Sequence, residues 1–181
     1  MNYPLHGYII CNDTFQGPGG VAFDFKEYRF DPAFYTFDNS EKSFARVLNV
    51  IRRLGIMEQG IYRWYPKHYG PVIIDQIETS DFTQIDSWRL LQEIDKLVDS
   101  IHVQYFTRDD KPVDRQFIKD KIHFCLRLVP LDTSIFFKYN VPVASLNTGS
   151  TKVIEHNLFC YFHALIGYNQ DKFYLLTLFY E

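Results

Sequence analysis

From Pro130 to Glu181 the chain is almost free of charge; only Asp132, Lys138, Lys152, Glu155, Asp171, Lys172 and Glu181 interrupt it. Aromatic and aliphatic residues fill the stretch, and residues 158–168 and 173–180 are apolar at odd and even positions alike. Successive side chains of a strand point to opposite faces, so a strand apolar at both parities must be covered on both. The end of the chain therefore predicts central β-strands, with helices on one side of the sheet and another layer on the other. Residues 134–139 read as a further strand. Residues 141–145 and 151–155 flank the turn Asn147-Thr148-Gly149-Ser150 as a hairpin, and Asn169-Gln170-Asp171 turns the chain between the last two strands.

The start of the chain also predicts a hairpin. A strand from Gly7 to Cys11 meets the breaker Gly17-Pro18-Gly19-Gly20, and Val21-Ala22-Phe23-Asp24-Phe25 follows. Between these β regions the spacing is helical. Phe44, Val47, Leu48, Ile51 and Leu54 share one stripe, with Asn39 or Ser40 as cap and Gly55 just past the end. A second helix, over roughly 87–103, is capped by Asp86 and buries Leu91, Ile94, Val98 and Ile101. A third starts near Pro112 and buries Val113, Phe117, Ile118 and Ile122, with Asp109 and Asp110 serving its N-terminus. Residues 122–129 fit helix or strand equally. Pro71-Val72-Ile73-Ile74 reads as a short buried strand after an aromatic, turn-rich segment. The expected fold is a single α+β domain over residues 1–181: about three helices in the middle, packed on a mainly antiparallel C-terminal sheet with an N-terminal hairpin.

Composition narrows function mostly by exclusion. A formal charge of −3 argues against a surface that binds nucleic acid over its whole extent, although a local patch stays open. Cys11, Cys125 and Cys160 are odd in number and form no CxxC, which suits reduced thiols and a cytoplasmic location. The N-terminus lacks the basic region of a secretory signal, and the longest uncharged stretch, residues 157–170, is too short to span a bilayer. The scattered histidines give no metal-ligand spacing. No GxSxG, HExxH or GxGxxG pattern occurs, so neither metal nor cofactor is expected.

One segment suggests chemistry. His163-Ala164-Leu165-Ile166-Gly167-Tyr168-Asn169, followed by the apolar run Phe173-Tyr174-Leu175-Leu176, resembles the histidine segment of papain-like cysteine peptidases. There a strand carries the catalytic histidine, a Gly-Tyr turn follows, and the next strand pairs back. The resemblance implies a small cysteine-dependent hydrolase using His163, with Cys125 as the nucleophile brought close by folding. Its requirement for a cysteine at a helix N-terminus is not met: Cys11 starts no helix, Cys125 lies near a helix C-terminus, and Cys160 projects to the face opposite His163. A histidine packed on a buried strand is the simpler reading.

Charge distribution gives two further candidates. Residues 43–69 hold Arg46, Arg52, Arg53, Arg63 and Lys67 against Glu58, among Tyr62, Trp64, Tyr65 and Tyr69. Phosphate contact and base stacking through Arg52, Arg53, Arg63, Trp64 and Lys67 would suit a single-stranded nucleic acid. Residues 70–99 reverse the sign, and the helix bearing Asp86, Trp88, Glu93, Asp95 and Asp99 offers carboxylates and a ring to a basic protein partner. The expectation that best fits all of this is a non-catalytic intracellular protein-binding protein. Bacterial immunity or antidote proteins that neutralise a nuclease-type toxin have this profile.

Overall fold

The computed structural model describes residues 7–16, 21–31, 33, 41–53, 68–69, 72–100, 114–140 and 161–180. Among them are strands β1 (Gly7–Gln16) and β2 (Val21–Phe30), helix α1 (Glu41–Arg53), and strands β3 (His68–Tyr69), β4 (Val72–Ile73) and β5 (Phe82–Ile85). Helices α2 (Leu90–Asp99) and α3 (Arg115–Leu126) follow, then β6 (Ile135–Tyr139), β7 (Tyr161–Tyr168) and β8 (Lys172–Tyr180). Six strands make one antiparallel sheet in the order β1, β2, β8, β7, β6, β5, and β3 pairs with β4 apart from it. The fold is α+β: a terminal hairpin from each end of the chain, zipped together by β2 and β8 in the middle of the sheet.

The two-sided apolar strands at the C-terminal end take the place their pattern demands. Ala164, Ile166, Tyr168, Phe173 and Leu175 face one cluster, while Leu165, Tyr174, Leu176 and Leu178 face the other. Helices cover both faces, where the sequence predicted them on one. On the first face, α1 inserts Phe44, whose ring stacks on Phe137 with centroids 3.8 Å apart and planes 6° from parallel. Phe82 meets Phe44 edge-on at 5.1 Å, and Tyr168 lies 6.3 Å away. Val47, Leu48 and Ile51 complete the buried stripe expected of this helix. On the second face, α2 and α3 bury Leu90, Ile94, Leu97, Val98, Ile118, Ile122, Cys125 and Leu126.

Several local expectations shift. The second helix begins as a 3-10 turn at Ser87–Arg89 and becomes α-helical at Leu90; Asp86 sits at the cap position without a side-chain cap bond. Leu91 is on the flank of α2, and Leu90 and Leu97 take the buried places beside Ile94 and Val98. Helix α3 is capped by Asp114, whose carboxylate accepts from the Phe117 N–H at 2.9 Å. Phe117 is 39% exposed, and residues 122–126 are helical. The run at residues 72–74 splits, with Val72 and Ile73 in β4 and Ile74 opening a 3-10 turn. Strand β5 carried no signal because it has four residues and buries only its two ends, Phe82 and Ile85. The expected hairpin at 141–155, the capping pair Asp109 and Asp110, and Leu54, Gly55, Pro112, Val113 and Ile101 lie outside the described residues.

Polar groups are also built into the sheet. Lys26 Nζ lies 3.0 Å from Asp24 Oδ2, and both side chains are almost wholly buried. They alternate with Phe23 and Phe25 along β2 and share the parity of Tyr28 and Phe30, which places them on the α1 face. At the turn between β7 and β8, the Asn169 side-chain oxygen accepts from the N–H groups of Asp171 and Lys172, at 3.2 and 3.0 Å. This is the local bond that makes Asn a turn residue.

Gly167 is within β7, opposite Tyr174 on one neighbour and Phe136 on the other. The space a Cβ would need there is filled by the Phe136 ring. Replacing Gly167 with Ala should therefore destabilise the domain by about 1–3 kcal/mol, measured as a lower urea midpoint at unchanged m. A Gly167→Ala/Phe136→Leu double variant should recover part of the loss.

Candidate functional site

The face formed by the 3-10 turn, α2 and α3 gathers most of the acidic candidates, but it pairs them. The helices run antiparallel, and carboxylates of α2 meet a lysine and a histidine of α3 in register. Asp99 is 2.8 Å from Lys119 Nζ, and Asp95 Oδ1 is 2.9 Å from His123 Nε2. Glu93 is 2.7 Å from Lys96 Nζ on its own helix and 4.0 Å from Lys138 Nζ on β6. The hydrogen bond from Lys96 holds Glu93 below the usual carboxylate range, with Lys138 and Arg89 adding to the effect against partial burial. Such exposed pairs stabilise by only a few tenths of a kcal/mol up to about 1 each. Their larger effect is to neutralise the field that α2 would present to a partner.

Asp86 and Trp88 are different. Asp86 is exposed and has no ion pair among the described residues. Trp88 is 66% exposed, and the Arg89 guanidinium carbon lies 4.3 Å from the centre of its ring. Both residues belong to the turn that leads from edge strand β5 into α2. Beside them is a surface depression of about 240 Å³, lined by Gln84, Asp86, Arg89, Glu93, Lys138 and Asn140 among others. The sequence pointed to Asp86 and Trp88 by charge and ring content. It missed the depression, which needs Lys138 and Asn140 from a strand far along the chain.

The other candidates separate. Arg52 is half-buried and donates from Nη1 to Asn49 at 3.3 Å, beside a second depression between α1 and the Thr79–Asp81 turn; Arg53 is exposed. Arg63, Trp64 and Lys67 lie outside the described residues. His163 is on β7, opposite Leu178, and so points to the same face of the sheet as the cluster that holds Cys125. Cys125 is buried there among Ile118, Ile122 and Leu126, the setting of a small apolar residue. Gly167 and Tyr168 continue the strand, whereas the peptidase resemblance places a turn at them; the turn comes at 169–171. Among the described residues, no cluster of His, Cys, Asp and Glu could hold a metal ion, and no helix is long and apolar enough to cross a membrane.

Burial pushes the His163 imidazole down to about 4, and the Lys138 ammonium adds to the shift. A base that weak is poorly matched to proton transfer at neutral pH. It does affect stability. The folded state holds His163 neutral, while the unfolded chain protonates it near its ordinary value of about 6.5. The stabilisation is complete above that value and is lost progressively as pH falls toward 4, by roughly 3 kcal/mol in all. Urea midpoints between pH 7 and 4 should fall less steeply for His163→Leu than for the wild-type chain; parallel slopes would show that another group governs the acid limb.

Comparison with known proteins adds little. No family model matches the chain, and no curated protein matches it. Among solved structures, the chain is similar to citrus MAF1 at 10% identity, with 90% of this chain and 92% of that chain covered and a TM-score of 0.35. A superposition that loose assigns neither fold nor function.

Proposed function

We propose that this is a non-catalytic protein-binding domain, and that its contact surface centres on Trp88 and Asp86 at the start of α2. The observation that carries the reading is Trp88 itself: a large ring, 66% exposed, on a structured turn with Arg89 stacked on it. Trp and Arg are the residues most often found at the energetic centre of protein interfaces, where a ring already held in place loses little entropy on binding. The neighbouring depression has polar walls of both signs, which suits a side chain or a short extended segment of a partner.

The acidic character is narrower than the sequence suggested. Glu93 and Asp99 are matched by lysines and Asp95 is held by His123, so steering toward a basic partner falls chiefly on Asp86. An intracellular antidote that occludes a basic, nuclease-type toxin is one specific form of this function. In that form a cation of the toxin would sit against Asp86 while Trp88 fills a pocket.

The test is capture of a stoichiometric protein from the native cell by the wild-type chain, compared with Trp88→Ala and Asp86→Arg. Trp88→Ala should weaken the isolated complex by about thirtyfold or more. Asp86→Arg should slow association, most strongly at low salt. Failure to recover any stoichiometric protein, or equal capture by both variants, would remove the reading. Charge reversal at Asp95 or Asp99 is a poor probe, because it also breaks contacts between α2 and α3.

A further inference from the structure

Helix α3 has a second apolar face. One face packs Ile118, Ile122, Cys125 and Leu126 into the core. The other is exposed: Phe117 at 39%, Phe124 at 62% and Leu128 at 70%. Steps of seven and four residues put these three on one line of the helix, and Arg127 keeps helical geometry (φ −60°, ψ −25°), which carries the line to Leu128. Lys121 falls on the same line, its ammonium 5.6 Å from the centre of the Phe117 ring. At about 100° per residue, this line is on the flank of α3 turned away from α2, which contacts α3 through Lys119 and His123. Of the five large apolar side chains exposed among the described residues, three are here. Apolar surface concentrated in one line marks an interface more often than surface scattered singly.

Two exposed charges border the line on its solvent side, Asp120 and Arg127, seven residues apart and opposite in sign. This arrangement distinguishes the ways α3 can meet a copy of itself. Two parallel helices would set Asp120 against Asp120 and Arg127 against Arg127. Two antiparallel helices, related by a two-fold axis through the middle of α3, set Asp120 of each copy against Arg127 of the other. The same axis brings Phe117 near Leu128 and Lys121 near Phe124, each pair offset by about 3 Å along the helix, within side-chain reach. We propose that α3 is the contact of an antiparallel two-fold dimer of this chain, through the line Phe117, Lys121, Phe124 and Leu128, with reciprocal Asp120–Arg127 pairs fixing its direction. A symmetric pair uses one patch twice, so the patch must be complementary to itself in shape and in charge. With one helix from each side the interface is small, and the dimer is a weak one with micromolar dissociation.

Sedimentation of the purified chain over a dilution series tests this. The wild-type chain is expected to show a monomer–dimer equilibrium. Arg127→Asp and Asp120→Arg should each raise the dissociation constant about tenfold or more, because each substitution places two like-charged pairs in contact. The double variant Asp120→Arg/Arg127→Asp should return it to near the wild-type value, and Phe124→Glu should give monomer at every concentration. A wild-type chain that stays monomeric throughout overturns the proposal. So does a dimer indifferent to Phe124→Glu, or a charge swap that fails to restore what the single changes lost. These substitutions leave Trp88 and Asp86 intact, so the dimer and the partner surface can fail independently.

Discussion

The architecture rests on one constraint: β7 and β8 have no polar face. Both strands must be paired along both edges and covered on both sides, or their apolar side chains remain in water. This fixes their central place in the sheet, between β2 and β6. It also requires helical layers above and below, since a sheet bare on either side would expose Phe173 and Leu175 or Tyr174 and Leu176. The stacking of Phe44 on Phe137 holds one layer to the sheet, and the apolar stripes of α2 and α3 hold the other. Within so dry a setting, the Asp24–Lys26 pair and the largely buried His163 are among the costly exceptions. A buried ion pair is tolerated only while both partners are present, and a buried imidazole only while it stays neutral.

Elements that announce themselves by periodicity were legible in the sequence. The stripe Phe44, Val47, Leu48 and Ile51 gave α1, the apolar parity of residues 173–180 gave β8, and the glycine breaker before Val21 gave the N-terminal hairpin. What failed was the assignment of a face where a helix has more apolar residues than one face needs. Leu91 and Phe117 fit the expected stripes by spacing, yet both are exposed, and Leu90 and Leu97 fill the core beside the expected Ile94, Val98, Ile118 and Ile122. Periodicity gives the existence of a buried stripe more reliably than its centre, because neighbouring 100° steps differ by less than the width of the stripe. Strand β5 was invisible for the opposite reason: four residues are too few to show a period.

The candidate site was legible only in part, and the reason is tertiary. A run of acids on α2 looks like a negative surface until α3 is laid beside it, when Lys119 and His123 arrive opposite Asp99 and Asp95. Nothing local to residues 86–99 reveals partners that come from residues 119–123 and 138. Trp88 escapes this ambiguity. A ring on a short turn ahead of an amphipathic helix belongs to neither apolar stripe, and it stays 66% exposed.

The union of the two terminal hairpins also bears on how the protein is made. Glu27 on β2 and Lys172 on β8 are 145 residues apart in sequence, yet their side chains touch at 2.7 Å. A ribosome delivers β1 and β2 early, with Phe23, Phe25, Tyr28 and Phe30 on a strand whose final neighbour has yet to be synthesised. Until β8 is synthesised, the edge of β2 that will receive it is an open ladder of amides beside apolar rings, able to pair with any other extended chain. Long-range pairing of this kind closes slowly. Production of this protein is therefore expected to depend on whatever shields that edge during synthesis, more than on the stability of the finished sheet.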